Sequence, residues 1–268
     1  MSRTSESDFS KMWRPASDDR LDKLGVSLGD GSSNTGFDVR TFPASTWLIH
    51  AMYEREMDSP PSHDEREKQQ IAERQLSPVV VNNVDLSAAT KKTGVRLGWG
   101  AAPGGSYQRL RWRDYAERLS VPILRDGYWP GINGLVPSPA GAGSWPENVE
   151  PPGEGSIDKE SWTELVRVLA DHSRDGNLTG CIAFYTPWSL SPIDAPFLLN
   201  GKLGNALALP DNPAAIGSPQ NFWSDDLEWF VYTDYDLQAS RISGSVELIA
   251  ALLANAGLDC EDLPGIAR

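Results

Sequence analysis

The clearest hydrophobic pattern lies near the C-terminal end of the chain, in residues 221–257. Residues 227–233 form an apolar run rich in aromatic and β-branched side chains, which predicts a buried strand. A second strand is predicted over residues 237–242, and the following segment Ser243-Gly244-Ser245 supplies a serine oxygen that can cap a helix. Glycine at position 257 suits the end of that helix. The predicted apolar face of the helix consists of Val246, Leu248, Ile249, Leu252 and Leu253.

Upstream of this region, residues 156–173 carry apolar side chains at helical spacing, with Asp158 as a candidate N-cap. Residues 178–186 have the composition of a buried strand. Residues 187–200 are predicted to form a loop, and residues 205–209 a short strand. Together these elements predict an α+β fold, with one mixed or antiparallel sheet, flanking helices and loop-rich connections that contain many Pro, Gly and Trp residues.

The N-terminal half has weaker periodicity. Residues 1–40 are rich in Ser, Asp and Gly, and we predict there a poorly ordered arm or a peripheral segment laid on the domain. Residues 41–150 are expected to form a loop-rich region that contains a strand around Trp47 and a helix near residues 109–119. Residues 151–268 are expected to form the C-terminal α+β unit. The pattern leaves open whether residues 41–268 are one continuous domain.

Composition narrows the classes of function. The chain has 268 residues, with 37 acidic and 24 basic side chains and a formal net charge of −13. Nucleic-acid binding depends on Lys and Arg that neutralise phosphates, so this balance argues against a nucleic-acid partner. It would suit a basic protein partner. No apolar run reaches the length that spans a membrane, and the first residues lack the apolar core of a secretory signal.

The sequence contains no motif that is typical of a cofactor-binding site. The two cysteines, Cys181 and Cys260, stand far apart and form neither a disulfide framework nor a metal-type cluster, which indicates reduced thiols and a cytoplasmic location. His50 follows an apolar run and has no second ligand at metal-like spacing, so we interpret it as a structural histidine. We therefore expect no cofactor.

The C-terminal half resembles a known group of proteins. The sequence of features is a capped helix containing Trp162, a strand of the CIAFYTPW type, and then FWSDDLEWFVYTDYDLQASRISGSVELIAALL. It is similar to a family of uncharacterised cytoplasmic proteins from actinobacteria-type bacteria, which implies a location and a fold but no activity. A hairpin followed by a serine-capped helix also resembles the end of the SUKH domains found among bacterial toxin-immunity proteins.

One catalytic hypothesis uses Asp234 and Asp236, which follow the apolar run at residues 227–233. Two carboxylates in a D-x-D sequence can hold Mg²⁺ or Mn²⁺ against nucleotide phosphates, as metal-dependent nucleotidyl- and glycosyl-transferring enzymes do. No third carboxylate is evident near them in the sequence, and a hairpin turn capped by aspartates explains the same residues. This reading remains the alternative.

The leading hypothesis is a non-catalytic protein-binding module, of the kind that immunity and antitoxin proteins represent. The chain has ten tryptophans, several of them in segments rich in Pro and Gly. Aromatic side chains are enriched at binding surfaces because they contribute a large contact area at little cost in conformational entropy. An acidic and aromatic surface would recognise a basic partner. The candidate binding residues are Trp223, Trp229, Tyr235, Asp225 and Asp226.

Overall fold

The structure is a computed structural model, and it describes residues 6–26, 36–39, 41–57, 63–73, 80–81, 84–85, 103–124, 129–131, 145–186, 196–212 and 217–263. The chain divides into two compact units. Unit 1 comprises residues 1–50, 97–102 and 153–268, and unit 2 comprises residues 51–96 and 103–152. Unit 1 resumes at residue 153, and the strand around Trp47 belongs to the same unit as the C-terminal region.

The elements of the described residues are numbered in chain order. The helices are α1 (Glu6–Met12), α2 (Asp19–Asp22), α3 (His63–Ala72), α4 (Trp112–Leu119), α5 (Lys159–Asp171) and α6 (Val246–Ala254), with 3₁₀ helices at Gly176–Leu178 and Leu203–Asp211. The strands are β1 (Arg14–Pro15), β2 (Ala44–Ile49), β3 (Met52–Glu54), β4 (Val80–Val81), β5 (Val84–Asp85), β6 (Gln108–Leu110), β7 (Val149–Glu150), β8 (Gly180–Tyr185), β9 (Phe197–Lys202), β10 (Asn221–Ser224), β11 (Phe230–Tyr232), β12 (Ala239–Gly244) and β13 (Cys260–Glu261).

Unit 1 is built on one antiparallel sheet. Within the described ranges it has eight strands in the order β1-β9-β8-β10-β11-β12-β2-β13. Helices α5 and α6 and the 3₁₀ helix Leu203–Asp211 share a buried apolar cluster with one face of this sheet. On the other face, Phe37 contacts Phe184, Trp223 and Phe230, with ring centroids 5.4 to 6.1 Å apart. Both faces of the central strands are therefore covered, which explains their continuous apolar sequences.

Both long helices of unit 1 begin at the predicted caps. The Asp158 side chain accepts a hydrogen bond from the Ser161 amide at 2.9 Å, and Ser245 Oγ accepts one from the Leu248 amide at 3.1 Å. These bonds satisfy amide groups that have no partner within the helix. The sequence prediction of two capped helices is confirmed, although α6 ends at Ala254, before Gly257.

Other local predictions in the C-terminal region were wrong. The strand predicted over residues 227–233 is too long: β11 covers only Phe230–Tyr232, and Leu227, with a φ of +57°, lies in the turn between β10 and β11. Residues 205–209 lie in a 3₁₀ helix, and the predicted loop before them contains the start of β9. Val246 and Leu253 are 60% and 44% exposed, so they do not belong to the buried face of α6.

The described residues 6–26 pack against the large sheet, which fits a peripheral segment laid on the domain rather than a poorly ordered arm. Trp13 and Leu21 are buried, and β1 pairs with β9 at the edge of the large sheet. Trp13 Nε1 donates a hydrogen bond to the Asn205 carbonyl at 3.1 Å, and its ring contacts Phe222. The few apolar residues of this segment are widely spaced, so their burial could not be recognised from periodicity.

Unit 2 contains a second antiparallel sheet of three described strands in the order β6-β3-β7, together with α3, α4 and the short β4-β5 hairpin. Trp112, Tyr115 and Trp145 are buried, and the ring of Trp145 contacts the rings of the other two. The predicted α+β class is therefore confirmed, with antiparallel sheets and flanking helices.

Candidate functional site

A group of acidic residues surrounds the turn between β11 and β12. Asp234, Tyr235 and Asp236 lie in this turn, and Glu154 approaches them from the segment before α5. We call Glu154, Asp234, Tyr235 and Asp236 the acidic turn. Glu154 was not identified from the sequence, because only the folded chain brings it to the two aspartates.

The main chain on both sides of Glu154 is held by hydrogen bonds. The Gly155 amide donates to the Leu237 carbonyl at 3.0 Å, and His50 Nδ1 lies 2.6 Å from the Gly153 carbonyl. Gly155 has a φ of +73°, and a Cβ atom there would lie 2.8 Å from the Tyr235 carbonyl oxygen. Glycine at position 155 is therefore needed for this close approach of two backbones.

His50 is the centre of a buried polar network beneath the acidic turn. Because the Gly153 carbonyl can only accept, Nδ1 carries the proton, and Nε2 accepts from Ser240 Oγ at 3.0 Å. Thr233 Oγ1 lies 2.6 Å from the same serine oxygen. Burial lowers the pKa of His50 to about 4, so the ring is neutral at neutral pH. The interpretation of His50 as a structural histidine agrees with these contacts.

Two carboxyl groups of the acidic turn have strongly raised pKa values. Burial, reinforced by the negative charge of Asp236, raises the pKa of Glu154 to about 7. The same two causes raise the pKa of Asp234 to about 6, although the Tyr232 hydroxyl donates to Asp234 Oδ2 at 3.0 Å and opposes the shift. Among the described residues, no Lys or Arg forms an ion pair with Glu154, Asp234 or Asp236.

The arrangement of the acidic turn gives little support to the hypothesis that Asp234 and Asp236 bind a metal ion. The two carboxyl groups interact with each other, as the D-x-D sequence suggested. However, no group of three or more His, Cys, Asp or Glu side chains in the described part of the chain is arranged to hold a metal ion. Glu154 is near enough to Asp236 to feel its charge, but it does not complete such a group.

The five predicted binding residues do not form one surface. Trp223 and Trp229 are buried, with Trp223 stacked on Phe230 and Trp229 Nε1 bonded to Ser173 Oγ at 2.8 Å. Neither indole is therefore available to a partner on the folded surface.

Tyr235 is 38% exposed and lies in the acidic turn. Asp225 and Asp226 are also exposed, but they lie in the β10-β11 turn, at the opposite end of β11. Asp225 forms an ion pair with Arg20 there. Of the predicted set, only Tyr235 joins the acidic turn.

The raised pKa values predict that unit 1 loses stability as the pH rises from about 4 to about 7. A carboxyl group with a folded-state pKa above its unfolded value stabilises the fold while it is protonated, and this contribution is lost as it ionises. We expect a loss of about 1 to 2 kcal/mol for each of Glu154 and Asp234 after solvent screening. The measurement is the free energy of unfolding against pH for the wild type and for Glu154→Gln/Asp234→Asn, whose difference should grow with pH.

The matched control is Asp225→Asn/Asp226→Asn, which also replaces two carboxyl groups but leaves the acidic turn intact, so it should keep the loss of stability between about pH 4 and pH 7. His50 acts in the opposite sense below about pH 6.5, because its folded-state pKa is lowered. The quantity to compare is therefore the difference in the free energy of unfolding between variants at each pH, rather than the pH dependence of one protein alone. An equal pH dependence in all three proteins would show that these carboxyl groups are not shifted.

Within the residues that the structure describes, no helix is both long enough and apolar enough to cross a membrane. No family model, curated protein or solved structure matches this chain.

Proposed function

We propose that this protein is a non-catalytic protein-binding module that captures a basic segment of a partner protein at the acidic turn. The observation that carries the proposal is a set of three carboxyl groups beside an exposed tyrosine, with no ion-pairing Lys or Arg among the described residues. The resemblances to immunity-type domains remain predictions.

The electrostatics of the turn favour a cationic ligand. At neutral pH, Glu154 and Asp234 ionise against burial and against the charge of Asp236. An incoming Arg or Lys would stabilise the ionised forms and lower both pKa values, so binding should release protons. The exposed ring of Tyr235 adds an aromatic surface that a guanidinium group can stack on.

The backbone of the acidic turn is already held in place before any partner binds. The His50 network fixes Gly153, and the bond from the Gly155 amide to the Leu237 carbonyl fixes the segment that carries Glu154. A preorganised site loses less conformational entropy on binding. The net charge of −13 would also steer a basic protein toward the chain.

The proposal is tested with a synthetic peptide of alternating Arg and Gly residues as the basic probe, titrated by calorimetry at low salt. We expect saturable binding that weakens about tenfold in Asp234→Asn/Asp236→Asn and strengthens between about pH 5.5 and pH 8. Titrations in two buffers of different ionisation enthalpy should report proton release on binding. Tyr235→Ala should weaken binding by a few-fold.

Asp225→Asn/Asp226→Asn again serves as the matched control, because it removes two charges at the opposite end of β11. Attraction to net charge alone would weaken peptide binding equally in both double variants. That result, or the absence of saturable binding to the wild type, would contradict a site at the acidic turn.

A further inference from the structure

A cleft with a local excess of basic side chains lies at the β1 edge of the large sheet, in a chain that is acidic overall. The cavity has a volume of about 400 Å³, within the usual range for sites that bind small molecules. Lys11, Arg14, Arg20 and Lys202 line it, and Asp225 is the one acidic side chain among the lining residues that the structure describes. We call this cavity the anion cleft.

The register of the sheet places three polar side chains of the anion cleft, Arg14, Asn200 and Lys202, on a common face. Arg14 on β1 is the Cα partner of Asn200 on β9, and Lys202 is two residues further along β9. Directly paired residues and residues two apart in a strand point to the same side of a sheet. Lys202 is in turn the partner of Gly180 on β8, where the missing side chain leaves room beside Asp225.

Two of the four cations lack an internal counter-charge among the described residues. Lys11 is paired with Asp8 at 2.9 Å, and Arg20 is paired with Asp225. Arg14 and Lys202 form no ion pair with any residue that the structure describes. Asn200 Nδ2 donates to the Pro15 carbonyl at 3.1 Å and so fixes β1, with Arg14, against β9.

We propose that the anion cleft binds a small ligand through a phosphate or diphosphate group. Arg14 and Lys202 neutralise the phosphate charge, and Arg20 contributes when it exchanges Asp225 for the ligand. Arginine and lysine are the side chains that recognise phosphate oxygens, arginine through paired N–H groups. None of the described residues lining the cleft is aromatic, so they offer no stacking surface for a nucleotide base, and recognition rests on the phosphate.

This site is independent of the acidic turn and of its basic partner. The anion cleft lies beside the β10-β11 turn, which carries Asp225, and the acidic turn lies at the other end of β11. Cys181, which also lines the cleft, does not act as a nucleophile there, because burial raises the pKa of its thiol and keeps it protonated. The role of the cleft is therefore binding.

The test is calorimetric titration of the full chain, at constant ionic strength, with inorganic phosphate, inorganic pyrophosphate and ribose 5-phosphate. We expect saturable binding of at least one probe, and the tightest of the three assigns the source of the phosphate group. Arg14→Gln/Lys202→Gln should weaken that binding at least tenfold, while Arg14→Lys/Lys202→Arg should retain it within about threefold. Lys68→Gln/Arg113→Gln, which removes two cations from unit 2, should leave it unchanged.

Asp225→Asn provides a test in the opposite direction. It removes the one lining carboxylate and frees Arg20, so it should tighten phosphate binding by about threefold to tenfold. The effect of Asp225→Asn therefore tests the phosphate-binding proposal even if Arg14→Gln/Lys202→Gln does not fold. The proposal is overturned if no probe binds saturably up to about 10 mM, or if binding is equal in the wild type and Asp225→Asn.

Discussion

Replacing Trp13 by alanine is expected to lower the free energy of unfolding by about 3 to 5 kcal/mol and the melting temperature by roughly 10 °C. The indole is buried against the core of unit 1, where it contacts Phe222 and donates a hydrogen bond to the Asn205 carbonyl. It also lies against Gly201, at which a Cβ atom would be 2.7 Å from the ring. Truncation therefore leaves a large cavity and an unpaired carbonyl.

Lys11→Ala is the matched control for this prediction, since Lys11 lies in the adjacent helix and its side chain is 74% exposed. Its change in stability should stay within about 0.5 kcal/mol. Thermal and urea unfolding of both variants measure the difference. If Trp13→Ala were as mild as Lys11→Ala, residues 6–26 would not be packed on unit 1, and the original expectation of a free arm would be restored.

The Trp13→Ala variant also links the fold to the anion cleft. Trp13 precedes Arg14, and the same short segment carries Arg20. Loosening this segment should separate its two arginines from Lys202. We therefore expect the folded variant to bind the preferred phosphate probe more weakly than Lys11→Ala does.

Replacing Gly155 by alanine is expected to destabilise unit 1 by about 2 to 4 kcal/mol. Two causes add. The φ of +73° is unfavourable for alanine, and the new Cβ atom would overlap the backbone of Tyr235, with distances of 2.8 Å to its carbonyl oxygen and 2.9 Å to its Cα atom. Backbone atoms cannot rotate away as a side chain does, so the acidic turn must move.

Gly25→Ala separates the two causes. Gly25 has a similar φ of +69°, but a Cβ atom there would have no neighbour within 4 Å. Its substitution should lower stability by only about 1 kcal/mol. Gly155→Ala should in addition weaken binding of the basic peptide at the acidic turn, whereas Gly25→Ala should not. Equal effects of the two substitutions would show that Gly155 does not touch the turn.

Local features were predicted well where short-range chemistry controls them. Asp158 and Ser245 cap their helices because a side-chain oxygen reaches an amide three residues away in the same chain. The apolar face of α5 follows from its periodicity, as the burial of Trp162 and Leu165 shows. The strand around Trp47 and the α+β class were also predicted correctly, although the sequence left open whether the sheet is mixed or antiparallel.

Prediction failed where one composition suits two local structures. Residues 205–209 are apolar enough for a strand, but they lie in a 3₁₀ helix whose Ala206 and Leu209 pack into the core. Tryptophan is a residue type that is common at binding surfaces, yet the side chains of Trp223 and Trp229 are both buried in the core. The burial of a side chain depends on which other elements pack against it, and the spacing of apolar residues along the sequence does not contain that information.

By itself, the sequence determined the capped helices, the α+β class, the acidic charge and the pair Asp234 and Asp236 in a turn. Only the tertiary structure decided that Glu154 lies close to that pair and that Arg14 and Lys202 line the same cleft. Capping, periodicity and turn chemistry act over a few residues and can be read along the chain. Both sites instead depend on the pairing of distant segments, and that pairing is set by the packing of the whole of unit 1.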